Sequence, residues 1–434
     1  MHKILLVTLI FTLLILVLSR ISREVAADLL VYRLNNFDGK PSSLKLYDPA
    51  SGMTVSLIVN RNFSSFSLSA EGRLAYTLNE AVQTDIYIWD IRALGQKPVN
   101  ITQTQDVNED VLSWSPDGRY LVYEAIDKHN RALIYLWDGE SIQDITPHKM
   151  RNRAVQYGAF WSPDSQYLAF VAHDDNNYAF IHVWDGEKVS DITPQNMPDS
   201  AKYYEVTWSP NGLLAFNAWF WMHSTSEIYL WDGTRTMNLS QSPENTKSWL
   251  DWSADGKLAF QAERDRKYTI RVWDGVSFKN GAPDKDSFTS VAPGMIGYYS
   301  VPTWTPQGQV AFVSQTAHDT HTQVYVWDGK TATNISQNPT LHNGTPVWSN
   351  DGLWAFTTYF SPTQLLYVRD AHGRILLTTE GQYTPAWSSN DELVFCTGGW
   401  TLSVWNGQTI TEIANAREID ARWQSGGGVA CSSG

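Results

Sequence analysis

Cysteine is nearly absent from the 434 residues, with Cys396 and Cys431 as the only two. Two thiols cannot staple a disulfide-dense scaffold or complete a four-thiolate zinc site. Charge is scarce as well, at 18% Asp, Glu, Lys and Arg against a usual figure of about 25%. It leans acidic, with 32 basic and 45 acidic residues for a net charge of −13. No basic surface is left to neutralise a phosphate backbone, so nucleic acid is not an expected partner. No long segment keeps a 3.6-residue apolar period, and no P-loop, dinucleotide fingerprint or Gly-x-Ser-x-Gly elbow occurs. Aromatics are abundant instead, at 13% with 20 Trp, which supplies a large core and excludes wholesale disorder.

The one long apolar run stands at the N-terminus. Residues 4–18 read ILLVTLIFTLLILVL without a charge, just after Lys3. That length falls between a signal-peptide core and a spanning helix of about 20 residues. Val25-Ala26-Ala27 offers small residues for cleavage before Asp28, whereas Arg20, Arg23 and Glu24 crowd the place of a short polar cleavage region. Residues 1–27 are therefore expected to form a hydrophobic helix, as an uncleaved membrane anchor or a cleaved signal. Either exports residues 28–434, to the outer side of the cell membrane or, after cleavage, to a secreted or periplasmic location. No cysteine follows the run to carry a lipid.

Two motifs recur in step along the rest. A Trp-Ser-Pro-Asp-Gly-like block begins at Trp114, Trp161, Trp208, Trp252, Trp304, Trp348, Trp387 and, degraded, Trp423, at steps of 47, 47, 44, 52, 44, 39 and 36 residues. A more divergent copy, FSLSAEGRLAYT, begins at Phe66. Between these lie strands ending in Trp-Asp at Trp89, Trp137, Trp184, Trp231, Trp273 and Trp327, with weaker copies at Tyr47-Asp48, Val368-Arg369-Asp370 and Trp405-Asn406. A period near 45 is that of a four-stranded propeller blade. Pro116-Asp117-Gly118 makes a tight turn, because Pro fixes φ and Gly accepts positive φ. Runs such as Leu168-Ala169-Phe170-Val171-Ala172 are strands, and Asp138-Gly139 signals a hairpin. The short fourth strand reads Asp144-Ile145-Thr146 or Asn238-Leu239-Ser240.

The expected fold is thus all-β, a propeller of four-stranded blades. Residues 29–59 supply three strands but no innermost one, and residues 419–431 supply an innermost strand around Trp423. Residues 419–431 also have room for one more strand, and together the two segments make a composite blade that closes the ring and removes exposed edges. Eight continuous units plus the composite give nine blades; the alternative is eight, with one terminal segment as a cap.

These residues resemble the WD-repeat-like propeller repeats of the TolB type, found in bacterial exported proteins. The resemblance covers about residues 28–434. It implies a propeller that binds partners. The Trp-Asp strand ends also resemble true WD repeats, but the Gly-His pair on which their internal hydrogen-bonded tetrad depends is missing here.

In each blade the second-to-third loop and the outgoing linker share one end, which is far more variable in sequence than the standardised turns at the other. Variable loops on a rigid scaffold are where binding sits. The richest segments hold Trp219, Phe220 and Trp221, then Tyr203 and Tyr204, then Tyr298 and Tyr299 in the linker 280–300. These seven are the candidate ligand residues, able to stack on a protein or glycan partner; the competing reading is that they only fill the core. Asp174-Asp175-Asn176-Asn177 lacks the spacing of a calcium loop and reads as a solvated hairpin tip. His318 and His321 would need further ligands to hold a metal. No cofactor or metal is expected. Cys396 and Cys431 sit at matching places in consecutive units, nine and eight residues after the motif Trp. Equivalent strands of neighbouring blades keep Cα atoms beyond about 7 Å, so two separate thiols are expected even though export permits oxidation. No hydrolase domain follows the repeats, and the reading is of a non-catalytic binding scaffold. The alternative is a hydrolase or lyase acting on a glycan or peptide at the central channel, which predicts a cluster of ionisable groups with shifted pKa values.

Overall fold

The computed structural model describes residues 28–432 apart from 36–41, 60, 62–63, 81–82, 94–95, 130, 149–157, 175, 177, 196, 198–200, 221–224, 243–245, 265–266, 280–281, 292–300, 316–320, 337–339, 360–363, 399, 417 and 426. The expected apolar helix over 1–27 lies outside the described residues. Among the described residues no helix is long and apolar enough to cross a membrane.

Almost every strand pairing is antiparallel, and the strands group into sheets of one plan. In the sheet of Trp161 the order is Ala159–Trp161, Leu168–His173, Ala179–Trp184 and Val189–Asp191, each paired with the next in chain order. The sheets of Trp114, Trp208, Trp252, Trp304, Trp348 and Trp387 repeat this plan. So does one in which Leu68, not Phe66, holds the tryptophan's place, opposite Leu74. Second strands are covered on both faces, and every residue of Leu168–His173 is buried. Fourth strands face solvent, and all of Ile142–Asp144 is exposed. This gradient is why second strands read as unbroken apolar runs. The chain forms two compact units: residues 1–129, 135–143 and 381–434, and residues 130–134 and 144–380.

The two sequence motifs meet in space. Leu168 lies opposite Trp161 on one side and Trp184 on the other, and the two indoles touch edge to face at 6.0 Å. Trp114–Trp137, Trp208–Trp231, Trp252–Trp273 and Trp387–Trp405 repeat the contact at 6.0–6.3 Å, an arrangement the ring quadrupoles favour. The first-strand indole also reaches the preceding sheet. Trp208 Nε1–H donates to the Phe160 carbonyl at 2.9 Å, Trp304 to Asp251 at 3.0 Å, Trp114 to Ser67 at 3.2 Å and Trp423 to Ala386 at 3.3 Å. At the turn, Ser115 donates to Asp117 at 2.7 Å and accepts the Tyr120 N–H, while Gly118 takes φ +69°.

The terminal segments share one sheet in the first unit, ordered Met53–Ile58, Ser43–Asp48, Leu30–Asn35, Glu418–Trp423 and Gly428–Ser432. Leu30 lies opposite both Trp423 and Tyr47, the register that second-strand leucines have elsewhere. Asp28 accepts the N–H groups of Ser389 and Ser425 at 2.7 and 2.8 Å. The expectation of two separate thiols is corrected: Cys396 and Cys431 form a disulfide with Cα atoms 5.9 Å apart. The two are not on equivalent strands. Leu30–Asn35 takes the second-strand place, which sends the strand of Cys431 to the opposite edge of Glu418–Trp423, against Gln382–Trp387 and Leu393–Thr397.

Candidate functional site

At the loop-bearing ends of the sheets, polar side chains replace the apolar ones. A hydroxyl at the start of a third strand both accepts the N–H and donates to the carbonyl of a first-strand residue in the next sheet. The pairs are Thr84 with Glu109, Ser226 with Lys247 and Thr322 with Asn343. Beside each hydroxyl stands a second buried polar residue, Asp85, Glu227 or Gln323. This one clasp therefore carries three chemistries: two acids, an ion pair with Lys247 Nζ 3.5 Å from Glu227 Oε1, and two neutral amides.

The acidic version opens on a cavity of about 230 Å³ lined by Ser64, Thr84, Asn108, Glu109, Asp110, Glu124 and Ile126, all in the first unit. Glu109 is 2% exposed. Its Oε1 accepts from Thr104 at 2.9 Å, and Oε2 is buried without a hydrogen-bond partner. Burial, reinforced by Asp85, pushes its carboxyl up to about 7. Asp110 and Glu124 lie directly opposite each other across two paired strands. Burial, then the Asp110 charge, pushes Glu124 up to about 7 as well. Like charges facing across strands are destabilising, and shifted carboxyls in a cleft mark a candidate working site. Glu109 and Glu124 can hold or release a proton near neutral pH, and the cavity can face a cation.

The seven aromatic candidates fare differently. Tyr203 is fully buried, its ring edge to face on Phe216 at 5.8 Å; as a ligand residue it is corrected to core. Phe220 is half-buried against the same apolar cluster, and Trp219 is half-buried opposite Lys202. Tyr204 pairs with Asn217 in the strand register, and its side chain is outside the described residues. Trp221, Tyr298 and Tyr299 also lie outside them. Asp174 closes a hairpin by accepting from the Asn176 and Tyr178 N–H groups. His318 lies outside the described residues, and His321 meets His342 edge to face at 4.7 Å. Among the described residues no group of three or more His, Cys, Asp or Glu is placed to hold a metal ion.

The acidic cavity was not foreseen. A bulge between Val111 and Ser113 shifts the register, and simple alternation from Trp114 and Leu121 would have set Glu124 opposite Val111. The only sequence signal was the pair Glu109-Asp110 five and four residues before a motif Trp.

No family model matches the sequence, and no curated protein matches it. Solved structures do. Dipeptidyl peptidase 4 from Porphyromonas gingivalis is similar with a TM-score of 0.53 at 14% identity, covering 84% of this chain and 64% of that one. Prolyl oligopeptidase B from Galerina marginata gives 0.50 at 10%, covering 84% and 56%. TolB from Acinetobacter baumannii gives 0.30 at 16%, covering 82% and 80%. The chain thus spans less than two thirds of the two peptidases. The expectation of a non-enzyme is corrected, since the structures most similar among these are peptidases. Identities this low show the fold, not catalysis by this chain. The solved likenesses are propeller proteins without singling out the TolB type, and the chain has a β-propeller fold.

Proposed function

We propose that this chain serves peptide hydrolysis, with the acidic cavity as the place where a peptide bearing positive charge is engaged. The facing carboxyls of Asp110 and Glu124, with Glu109 buried behind them, carry the reading. Their mutual repulsion is relieved by a cation or by a shared proton, and a peptide amine or lysine supplies the first. The net charge of −13 draws such peptides in and disfavours anionic ones. Among the structures resembling this fold, the two named peptidases support peptide over glycan. The nine repeats, eight continuous and one shared by the termini, support a ring of nine blades closed at the shared sheet. Residues 4–18 would hold that ring on the outer face of the cell membrane or direct its export.

Fluorescence anisotropy with labelled peptides tests the site. A peptide with a free N-terminus and a lysine should bind at least tenfold tighter than its acetylated, glutamine-substituted version. Asp110→Asn with Glu124→Gln should abolish that preference. Equal binding of both peptides by the unaltered protein would refute the proposal. Mass spectrometry of the same mixtures reports any cleavage.

A further inference from the structure

The neutral clasp also opens on a cavity, and it is built differently. Between the sheets of Trp304 and Trp348, both in the second unit, a space of about 540 Å³ is lined by Val301, Val313, Gln315, Thr322, His342, Thr345 and Tyr359, over Asn343 and Gly344. No Asp, Glu, Lys or Arg is among its described lining residues. Tyr359 is a large aromatic left 48% exposed. Its position depends on Gly344: a Cβ there would lie 3.1 Å from both the Tyr359 ring and the Thr357 carbonyl. Glycine thus lets the ring lie against the backbone and form a wall.

One polar group is fixed by its partner. His342 Nδ1 accepts the Thr322 N–H at 3.2 Å. A ring nitrogen that accepts carries no proton, so the neutral imidazole has its hydrogen on Nε2 and offers a donor there. Asn343, 2% exposed, spends its amide N–H groups on the Thr322 and Leu341 carbonyls at 2.7 and 3.1 Å, and its Oδ1 has no partner. Apolar contact surface with a few neutral polar groups, His342 and Gln315 among them, and no charge among the described lining residues are the ordinary make-up of a small-molecule site, and the volume falls within the usual range of about 300–1,000 Å³.

We infer that this cavity is a ligand site for an uncharged side chain, aromatic or branched aliphatic, borne next to an amide carbonyl that accepts from His342 Nε2–H. The charge-free lining selects against ionic side chains, because a lone ion would leave water without a counter-charge. The Tyr359 face and the two valines supply the contact surface. The site is independent of the acidic cavity and of peptide hydrolysis.

Saturation-transfer NMR on the full chain tests it with N-acetyl-L-phenylalaninamide and N-acetyl-L-leucinamide, against N-acetyl-L-lysinamide and N-acetyl-L-glutamate. The two neutral probes should bind with millimolar Kd and the charged ones at least fivefold more weakly. Thr345→Trp, which fills the cavity, should abolish transfer, and Tyr359→Ala should weaken binding about fivefold. Thr333→Trp, in a separate cavity lined by Gln307, Gly352 and His372 at the turn-bearing ends of the same two sheets, should leave binding unchanged. Glu124→Gln should also leave it unchanged, which separates this site from the acidic one. Equal transfer to charged probes, or undiminished transfer in Tyr359→Ala, would overturn the inference. Should Thr345→Trp fail to fold, Tyr359→Ala decides, since its side chain is half in solvent.

Discussion

At the scale of residues, repetition hides several different uses of one position. In Trp114, Trp208, Trp304 and Trp423 the motif tryptophan is also a donor to the sheet before it, whereas Trp252 and Trp348 keep the ring without that bond. Arg369 shows what happens where the third-strand tryptophan is missing. Its guanidinium lies 5.6–6.0 Å from the rings of Trp354, Phe356 and Tyr367 and donates to the Ile335 carbonyl at 3.2 Å. A flat cation on aromatic faces thus stands in for a flat ring. Glu109 makes a testable statement about pH. Its carboxyl titrates at about 7 in the fold against an ordinary 4.5, so the protonated form favours folding. That contribution is full below about 4.5 and disappears as pH rises through about 7. Urea midpoints should therefore fall between pH 5 and pH 8, and Glu109→Gln, neutral throughout, should lessen that slope. An identical slope in the variant would place the shift elsewhere.

At the scale of elements, the strands and their turns were legible because period-two patterning and Pro-Asp-Gly chemistry act locally. Leu168–His173 and the Ser115–Gly118 turn need nothing beyond their own residues. The clasps and bulges were not legible. Thr84, Ser226 and Thr322 look like ordinary strand residues until the next sheet brings Glu109, Lys247 and Asn343 against them. Likewise, Glu205 at φ +52° and Trp249 at φ +61° sit at register shifts that alternation does not foretell. Their strain is supported locally: Glu205 accepts the Trp249 N–H at 2.8 Å. The buried ion pair in the second unit tests the clasp. Lys247 and Glu227 are 1% and 2% exposed, and removing one partner strands the other charge. Lys247→Met should cost about 3–5 kcal/mol in urea unfolding. Adding Glu227→Gln should restore most of that, because the remaining group is then neutral. If the double variant were as unstable as the single one, the loss would come from packing, not from charge.

At the scale of the whole molecule, a shared terminal sheet was legible because residues 29–59 lack a first strand and Trp423 supplies one. A further strand after it was legible too, but not its place, since its partner edge is chosen by the N-terminal segment. Leu30–Asn35 inserts beside Glu418–Trp423 and pushes Gly428–Ser432 to the far edge, where Cys431 meets Cys396. The seam between the termini is therefore held by a strand ladder and the Asp28 carboxylate, and beside it a disulfide spanning 35 residues pins the last strand to the preceding sheet. Closing a loop of that length restricts the unfolded chain by about 3–4 kcal/mol. Cys396→Ala with Cys431→Ala should lower urea stability by that order, and the double variant should no longer respond to reductant. Asp28→Ala should add less in this background than its loss in the oxidised protein, or more, but not the same amount, since neighbouring supports of one seam couple. Strict additivity would mean that the carboxylate and the disulfide stabilise separate parts of the unit and that the termini are not held as one element.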